Sequence, residues 1–142
     1  MRRFHNWPAL LDAFIASRGE MAFLWGANDC CVFACDAVLA MTGVDLAEGF
    51  RNSYTTAREA RAALREHFQT LSIGEMADAI AERYGLRSIP ASFAARGDVV
   101  LLDRELGESL GIVSLDGTEI WAPGEERLAE VPFREGRRGW RI

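Results

Sequence analysis

Apolar positions recur differently in the two halves of this chain. Up to about Gly85 they return at helical spacing, and from Leu86 onward they come in short runs cut by turns. In the first half Asn6 can cap a helix that has Pro8 in its first turn and Leu10, Leu11, Phe14 and Ile15 on one face. A second helix comes after Trp25-Gly26. Asn28 or Asp29 stands at its start, Phe33, Ala34, Val38 and Met41 run along it, and Gly43 stops it. Thr56-Ala57-Arg58-Glu59 is a capping box that opens a helix to about Phe68. Ser72-Ile73-Gly74-Glu75 opens another, ended by Gly85.

In the second half residues 99–102 come after Gly97-Asp98 as a strand. Residues 110–115, the Asp116-Gly117 turn signal and residues 119–122 predict a hairpin. Leu128–Pro132 and residues 140–142 read as two further short strands. Helices first and an antiparallel sheet afterwards make an α+β layout, with the cysteine-bearing second helix packed on the sheet. No repeat, low-complexity stretch or linker divides residues 1–142, which read as one domain.

Charge and composition remove several function classes. The net charge is −5, with 49% hydrophobic and 26% charged residues. That balance lacks the basic excess a phosphate backbone demands, so no nucleic-acid partner is expected. Apolar runs stop well short of the ~20 residues a membrane-spanning helix needs, so no membrane partner is expected either. Met1-Arg2-Arg3-Phe4-His5 is basic, but polar Asn6, Pro8 and Asp12 interrupt the apolar residues beyond it. This is not the pattern of a signal peptide, and it places synthesis and folding in a reducing cytoplasm.

The cysteines change the picture. Cys30, Cys31 and Cys35 all fall at or in the second helix. An odd count there argues against a disulfide framework, and the spacing matches no common zinc pattern. No metal or cofactor is expected, since ligation would need ligands from another chain. Cys31 and Cys35 share a helical face and read as small buried apolar side chains. Cys30 differs because it sits where the helix begins, where unpaired N–H groups and the positive end of the macrodipole stabilise a thiolate. A thiolate nucleophile needs a base. The chain has two histidines, His5 ahead of the first helix and His67 beside Phe68, both at positions typical of solvated or packing side chains. Asp29 reads as the helix cap, Asp98 as a turn residue opening a strand, and Asp45 as a loop tether.

Four segments then resemble, in order and spacing over residues 23–133, the NlpC-type branch of papain-like cysteine peptidases. They are Asp29-Cys30-Cys31-Val32-Phe33, Gly97-Asp98-Val99-Val100-Leu101, Leu110-Gly111-Ile112-Val113 and Ile120-Trp121-Ala122-Pro123-Gly124. In that family the pieces read Asp-Cys-Ser-Gly-Phe, Gly-Asp-Leu-Val-Phe, His-Val-Gly-Ile-Tyr and Ile-His-Ala, and its members cut peptidoglycan stem peptides. With Trp25-Gly26, Thr42-Gly43-Val44-Asp45, Tyr54 and Trp140-Arg141-Ile142 added, the pattern resembles a small tail-associated branch encoded in prophages and gene-transfer-agent-like clusters. The resemblance implies a papain-like fold with Cys30 at the nucleophile position. It puts Ser109 where the family has its base histidine, and Trp121 where it has the orienting one. A serine hydroxyl has no useful basicity near pH 7, and an indole offers a donor and no acceptor, so Cys30 is a vestigial nucleophile.

The expectation is therefore a virion component of a phage-type tail, at the tail tip or baseplate, whose partners are other tail proteins. Two alternatives accompany it. One is an active peptidoglycan-peptide hydrolase using Cys30 with an unrecognised base. The other is a non-catalytic module that binds a peptide or glycan in the inherited cleft. Trp25, Asp29, Trp140 and Arg141 are the candidate binding residues. Phe133, Arg137, Arg138, Trp140 and Arg141 together predict an exposed docking surface, because Trp and Arg are favoured interface anchors.

Overall fold

The computed structural model describes residues 1–142. Four helices come first: α1 (Trp7–Arg18), α2 (Val32–Thr42), α3 (Ala57–Phe68) and α4 (Ile73–Tyr84). Six strands come after them: β1 (Arg87–Pro90), β2 (Val99–Arg104), β3 (Gly107–Val113), β4 (Glu119–Pro123), β5 (Leu128–Pro132) and β6 (Gly136–Arg141). They form one sheet in the order β1-β6-β2-β3-β4-β5, antiparallel at every pairing. The chain is thus α+β, with N-terminal helices packed on a C-terminal antiparallel sheet. No helix is long and apolar enough to cross a membrane.

The helix ends arise from local chemistry. The Thr56 hydroxyl accepts from the Glu59 N–H at the start of α3, and the Ser72 hydroxyl accepts from the Glu75 N–H at the start of α4. Gly43 and Gly85 take left-handed conformations that end α2 and α4. Asn6 stands at the start of α1 but makes no capping bond with its side chain. There Pro8 in the first turn lacks an N–H, which reduces the number of donors to be satisfied.

Helix α2 is buried on nearly every side, as expected of a helix apolar all round. It lies between α1 and the sheet. The main core gathers Phe33, Val38 and Met41 of α2 with Val99 and Leu101 of β2, Leu110 and Ile112 of β3, and Trp140. The alternate residues of β2, Val100 and Leu102, face the other way and join Val113, Ile120, Ala122 and Val131 in a smaller core. Both faces of β2 are therefore covered over residues 99–102, which is why that run is continuously apolar rather than alternating. Short 3₁₀ turns, Ala91–Phe93 and Phe133–Glu135, supply Ala91 and Phe133 to the second face.

The structure departs from the sequence reading at three places. The sequence pattern does not announce strand β1, because Arg87-Ser88-Ile89-Pro90 buries Ile89 alone, as an edge strand can. The final strand spans Gly136–Arg141 rather than residues 140–142, and it lies inside the sheet, paired to β1 and β2. The exposed anchor expected at Trp140 is the third. Trp140 is 2% exposed, belongs to the main core and donates its indole N–H to Asp78 at 3.0 Å. Burying a side chain of this size in the core outweighs leaving it for a partner.

Candidate functional site

The segment before α2 is folded tightly by its own backbone. The N–H of Leu24 and the carbonyl of Asn28 pair at 3.1 Å, and the Asn28 N–H returns to the Leu24 carbonyl at 2.8 Å. Gly26 closes this turn with φ +78°, and a Cβ there would meet the Tyr54 carbonyl oxygen at 2.2 Å. Only glycine fits that combination of left-handed backbone and close approach.

Asp29 is fully buried behind Cys30. Its Oδ2 accepts from the Gly26 N–H at 2.7 Å, and its Oδ1 accepts from the N–H groups of Cys31 and Val32, both at 2.9 Å. Of the two candidate caps, Asp29 fills the role. Asn28 instead donates its amide to the carbonyls of Met21 and Ala22, holding the preceding loop. Three charge-assisted bonds from backbone donors anchor the start of α2 and with it the position of Cys30.

Cys30 precedes the first residue of α2 by two positions and is half-buried. Its carbonyl accepts from the Leu110 N–H of β3 at 2.8 Å, so the cysteine turn is stitched to the sheet. Cys30 and Ser109 both line a cleft of about 710 Å³. Aromatic side chains supply much of its wall: Phe23, Trp25, Phe50, Tyr54 and Phe68. Phe23 and Trp25 meet edge to face at 4.8 Å, and Phe50 and Phe68 do the same at 5.6 Å. Helices α3 and α4 provide one side, and the β2–β3 hairpin around Leu106 provides another.

No imidazole lines this cleft. His67 lies exposed on α3 beside Phe68, and His5 is exposed ahead of α1. The closest polar contact of the Cys30 sulfur is another sulfur, Cys31 Sγ at 3.8 Å. The Ser109 hydroxyl is buried and reaches only the Leu110 carbonyl, at 3.5 Å. Trp121 pairs with Ile112 and Glu130 across β4 and packs half-buried against the main core, outside the cleft lining. Of the three positions the resemblance marks, the fold therefore brings Cys30 and Ser109 to one cavity and leaves Trp121 in the sheet. Trp25 lines the cleft and Asp29 supports it. Trp140 and Arg141 belong elsewhere. Arg141 donates to the Phe93 carbonyl and pairs with Asp98 at 3.0 Å.

The thiols differ in their surroundings. Cys31 is pushed well above the ordinary thiol range by its contact with Cys30 and by burial. Burial pushes Cys35 up to about 12. Tyr54 is also pushed upward, by burial first and then by the Asp29 carboxylate, so its phenol is a donor and not a base. Tyr54 and the α3 residues of the wall are functional-looking positions that periodicity alone does not reveal. Tyr54 stands out only within the family pattern.

Asp98 opens a strand, as its place after Gly97 suggests, and it does more. Fully buried, it accepts from the Ala95 N–H, from Arg3 at 2.6 Å and from the Ile142 N–H, binding both ends of the chain to the start of β2. Asp45 tethers the loop after α2 as expected, accepting from the Ala47 N–H and from Arg51.

No curated protein sequence matches the chain. A solved structure does resemble it: the crystal structure of the NlpC/p60 domain of peptidoglycan hydrolase SagA. The two share a TM-score of 0.58 and 15% identity, over 95% of this chain and 98% of that one. The likeness shows an NlpC/p60-like, papain-like fold, which agrees with the element order and with the cysteine helix lying on the sheet. Residues 2–142 match the family model described as a domain of unknown function, DUF6950, and the chain belongs to that family.

Proposed function

We propose that this chain is a structural component of a phage-type tail, at the tail tip or baseplate, built on a cell-wall-peptidase fold that no longer hydrolyses. The observation that carries the non-hydrolytic part is the surroundings of Cys30: its cleft holds no imidazole, and the base position is the buried hydroxyl of Ser109. A thiol attack on an amide needs a group to take the thiol proton and return it to the leaving amine. Neither Ser109 nor Tyr54 can accept a proton near pH 7. The tail placement is supported by the sequence pattern that runs from Trp25-Gly26 to Trp140-Arg141-Ile142 and resembles a prophage tail branch. The partners are then neighbouring tail proteins, and the location is the virion.

Purified protein is expected to leave peptidoglycan stem peptides uncut. Particles carrying Cys30→Ser are expected to assemble and infect normally, with the protein present in purified tails by mass spectrometry. Stem-peptide turnover that disappears in Cys30→Ser would overturn the non-hydrolytic reading. Absence of the protein from purified particles would overturn the tail reading.

A second reading is favoured by the cleft itself. A cavity of about 710 Å³, walled by aromatic side chains and lined in part by Cys30, is the size of an ordinary ligand site. A peptide or glycan binder without hydrolysis fits that shape, and the similar solved fold is that of a peptidoglycan hydrolase domain. Saturable binding of soluble muropeptides, weakened by Trp25→Ala, would favour it over a purely structural role.

A further inference from the structure

The loop that leads into β2 carries more positive charge than its acid can balance. Arg3, Arg96 and Arg141 gather round one carboxylate, buried Asp98, in a chain whose net charge is −5. Asp98 is fully engaged by Arg3, by Arg141 and by the N–H groups of Ala95 and Ile142. Nothing is left on it for Arg96. Burial leads in holding Arg3 below the ordinary guanidinium range; Asp98 opposes it, and the like charges of Arg141 and Arg96 add to it. Arg87 brings a fourth cation, directly opposite Arg141 in the β1–β6 register. Like charges facing each other across an antiparallel pair cost stability. Arg87 and Arg96 are exposed, and their guanidinium groups enter no ion pair and no hydrogen bond within the fold.

Two aromatic rings belong to the same patch. The Arg96 guanidinium lies 5.4 Å from the centre of the half-buried Trp7 ring, and that of Arg3 lies 4.4 Å from it. Stacking steadies Arg96 while its N–H edge stays open to a carboxylate. Phe93 is 68% exposed, yet its backbone is fixed by the 3₁₀ turn Ala91–Phe93 and by Arg141, which donates to its carbonyl at 2.6 Å. A fixed, exposed ring beside unpaired arginines has the composition of an interface core. We infer that Arg87, Arg96, Phe93 and Trp7 form a docking surface for an acidic segment of a partner protein. Carboxylates of that segment sit on the two arginines, and an apolar side chain packs on Phe93.

Charge chooses the chemistry of the partner. A carboxylate meets a guanidinium through two parallel bonds, and its charge relieves the opposition of Arg87 and Arg141. A nucleic acid fits less well, because the acidic remainder of the chain repels a continuous phosphate backbone and the patch offers aromatic area beside its charge. None of the four residues lines the cleft of Cys30. The surface therefore depends on neither the ligand of that cleft nor the tail reading.

Selection of a random dodecapeptide library on the immobilised full-length protein tests it, with the winners labelled by fluorescein and measured by fluorescence anisotropy. The winners are expected to be net negative and to contain a large apolar residue, a readout that needs no variant to fold. Their binding is expected to weaken by about tenfold or more in Arg87→Gln/Arg96→Gln and in Phe93→Ser, and to weaken as salt is raised. It should persist in Arg137→Gln, an exposed arginine at the other end of β6 that pairs with Asp103. The substituted side chains are exposed, so the thermal midpoints by circular dichroism should stay at the wild-type value. Neutral or basic winners, no winner at all, or acidic winners that bind both variants as tightly as the wild type would overturn the proposal. Displacement of the peptide by a short DNA duplex at equal concentration would point to a nucleic acid and overturn it as well.

Discussion

The backbone N–H of Leu110 donates to the carbonyl of Cys30 at 2.8 Å, joining the start of α2 to β3. That single bond places the preceding residue of β3, Ser109, in the same cleft as the thiol. The next residue, Gly111, tolerates no side chain, since a Cβ there would lie 2.5 Å from Ile120 and 2.8 Å from the Trp121 carbonyl oxygen. The Leu110-Gly111-Ile112 run therefore encodes how closely β3 and β4 approach, and the residue before it lines the same cleft as the cysteine.

If Ser109 occupies the base position, an imidazole placed there should activate the neighbouring thiol. Ser109→His is expected to raise the rate of Cys30 alkylation by iodoacetamide at pH 7 by about tenfold or more, because a paired histidine favours the thiolate. The pH profile of the rate should move to lower pH, and Cys30→Ser in the same background should abolish the reaction. A profile identical to that of the wild type would mean that Ser109 does not stand where a base would act.

Asp29 satisfies three buried backbone donors from one carboxylate. Asp29→Ala should cost about 3 kcal/mol, since it strands buried N–H groups as well as losing a cap. Asp29→Asn keeps an acceptor oxygen and should cost less. Urea unfolding monitored by circular dichroism measures both. A loss below about 1 kcal/mol for alanine, the size of an ordinary exposed cap, would mean the three bonds are not what fixes the cysteine turn.

The parts of the fold legible in the sequence are local. Thr56, Ser72, Gly43 and Gly85 mark helix ends because a hydroxyl or a left-handed glycine acts on residues within one turn of itself. The α+β order and the four family segments are legible for the same reason, each being a short run with its own chemistry. Long-range placement is not. Gly136-Arg137-Arg138-Gly139 carries no apolar alternation, yet it forms a strand flanked on both sides, because its backbone pairs while Trp140 supplies the burial. The cleft is equally hidden. Its wall joins α3, α4 and a hairpin tip that meet only after the chain has folded.

Acid should weaken the fold through carboxylates held below their ordinary values. Hydrogen bonding to Arg51 leads in lowering Asp45, over the opposing effect of burial. For Glu108 burial acts upward, but hydrogen bonds from the Gly74 N–H and the Ser72 hydroxyl at the start of α4 outweigh it. A carboxylate lowered in the folded state stabilises fully above its unfolded value. That contribution is lost as pH falls through the folded one. The urea midpoint should therefore hold between pH 7 and pH 5 and fall as pH drops below the ordinary values of 4.5 for Glu108 and 3.8 for Asp45. Asp45→Asn and Glu108→Gln should each flatten that acid limb. An acid limb of unchanged steepness in both variants would mean these two contacts contribute nothing to it.

Removing the C-terminal segment separates a docking strand from a structural one. Strand β6 pairs with β1 on one side and β2 on the other, so deleting residues 134–142 opens the sheet between them. The same deletion removes Trp140 from the main core, the Ile142 N–H from buried Asp98, and the Arg141 side chain that pairs with it. Loss of the Trp140 side chain alone should cost about 3–5 kcal/mol, a large share of the roughly 5–15 kcal/mol that holds a domain together. Truncation is thus expected to leave no cooperative thermal transition by circular dichroism. Trp140→Phe, which keeps most of the apolar volume but loses the bond to Asp78, should fold with a lowered midpoint. A truncated protein that still melts cooperatively would show that β6 is dispensable to the fold, and would return Trp140 and Arg141 to a docking role.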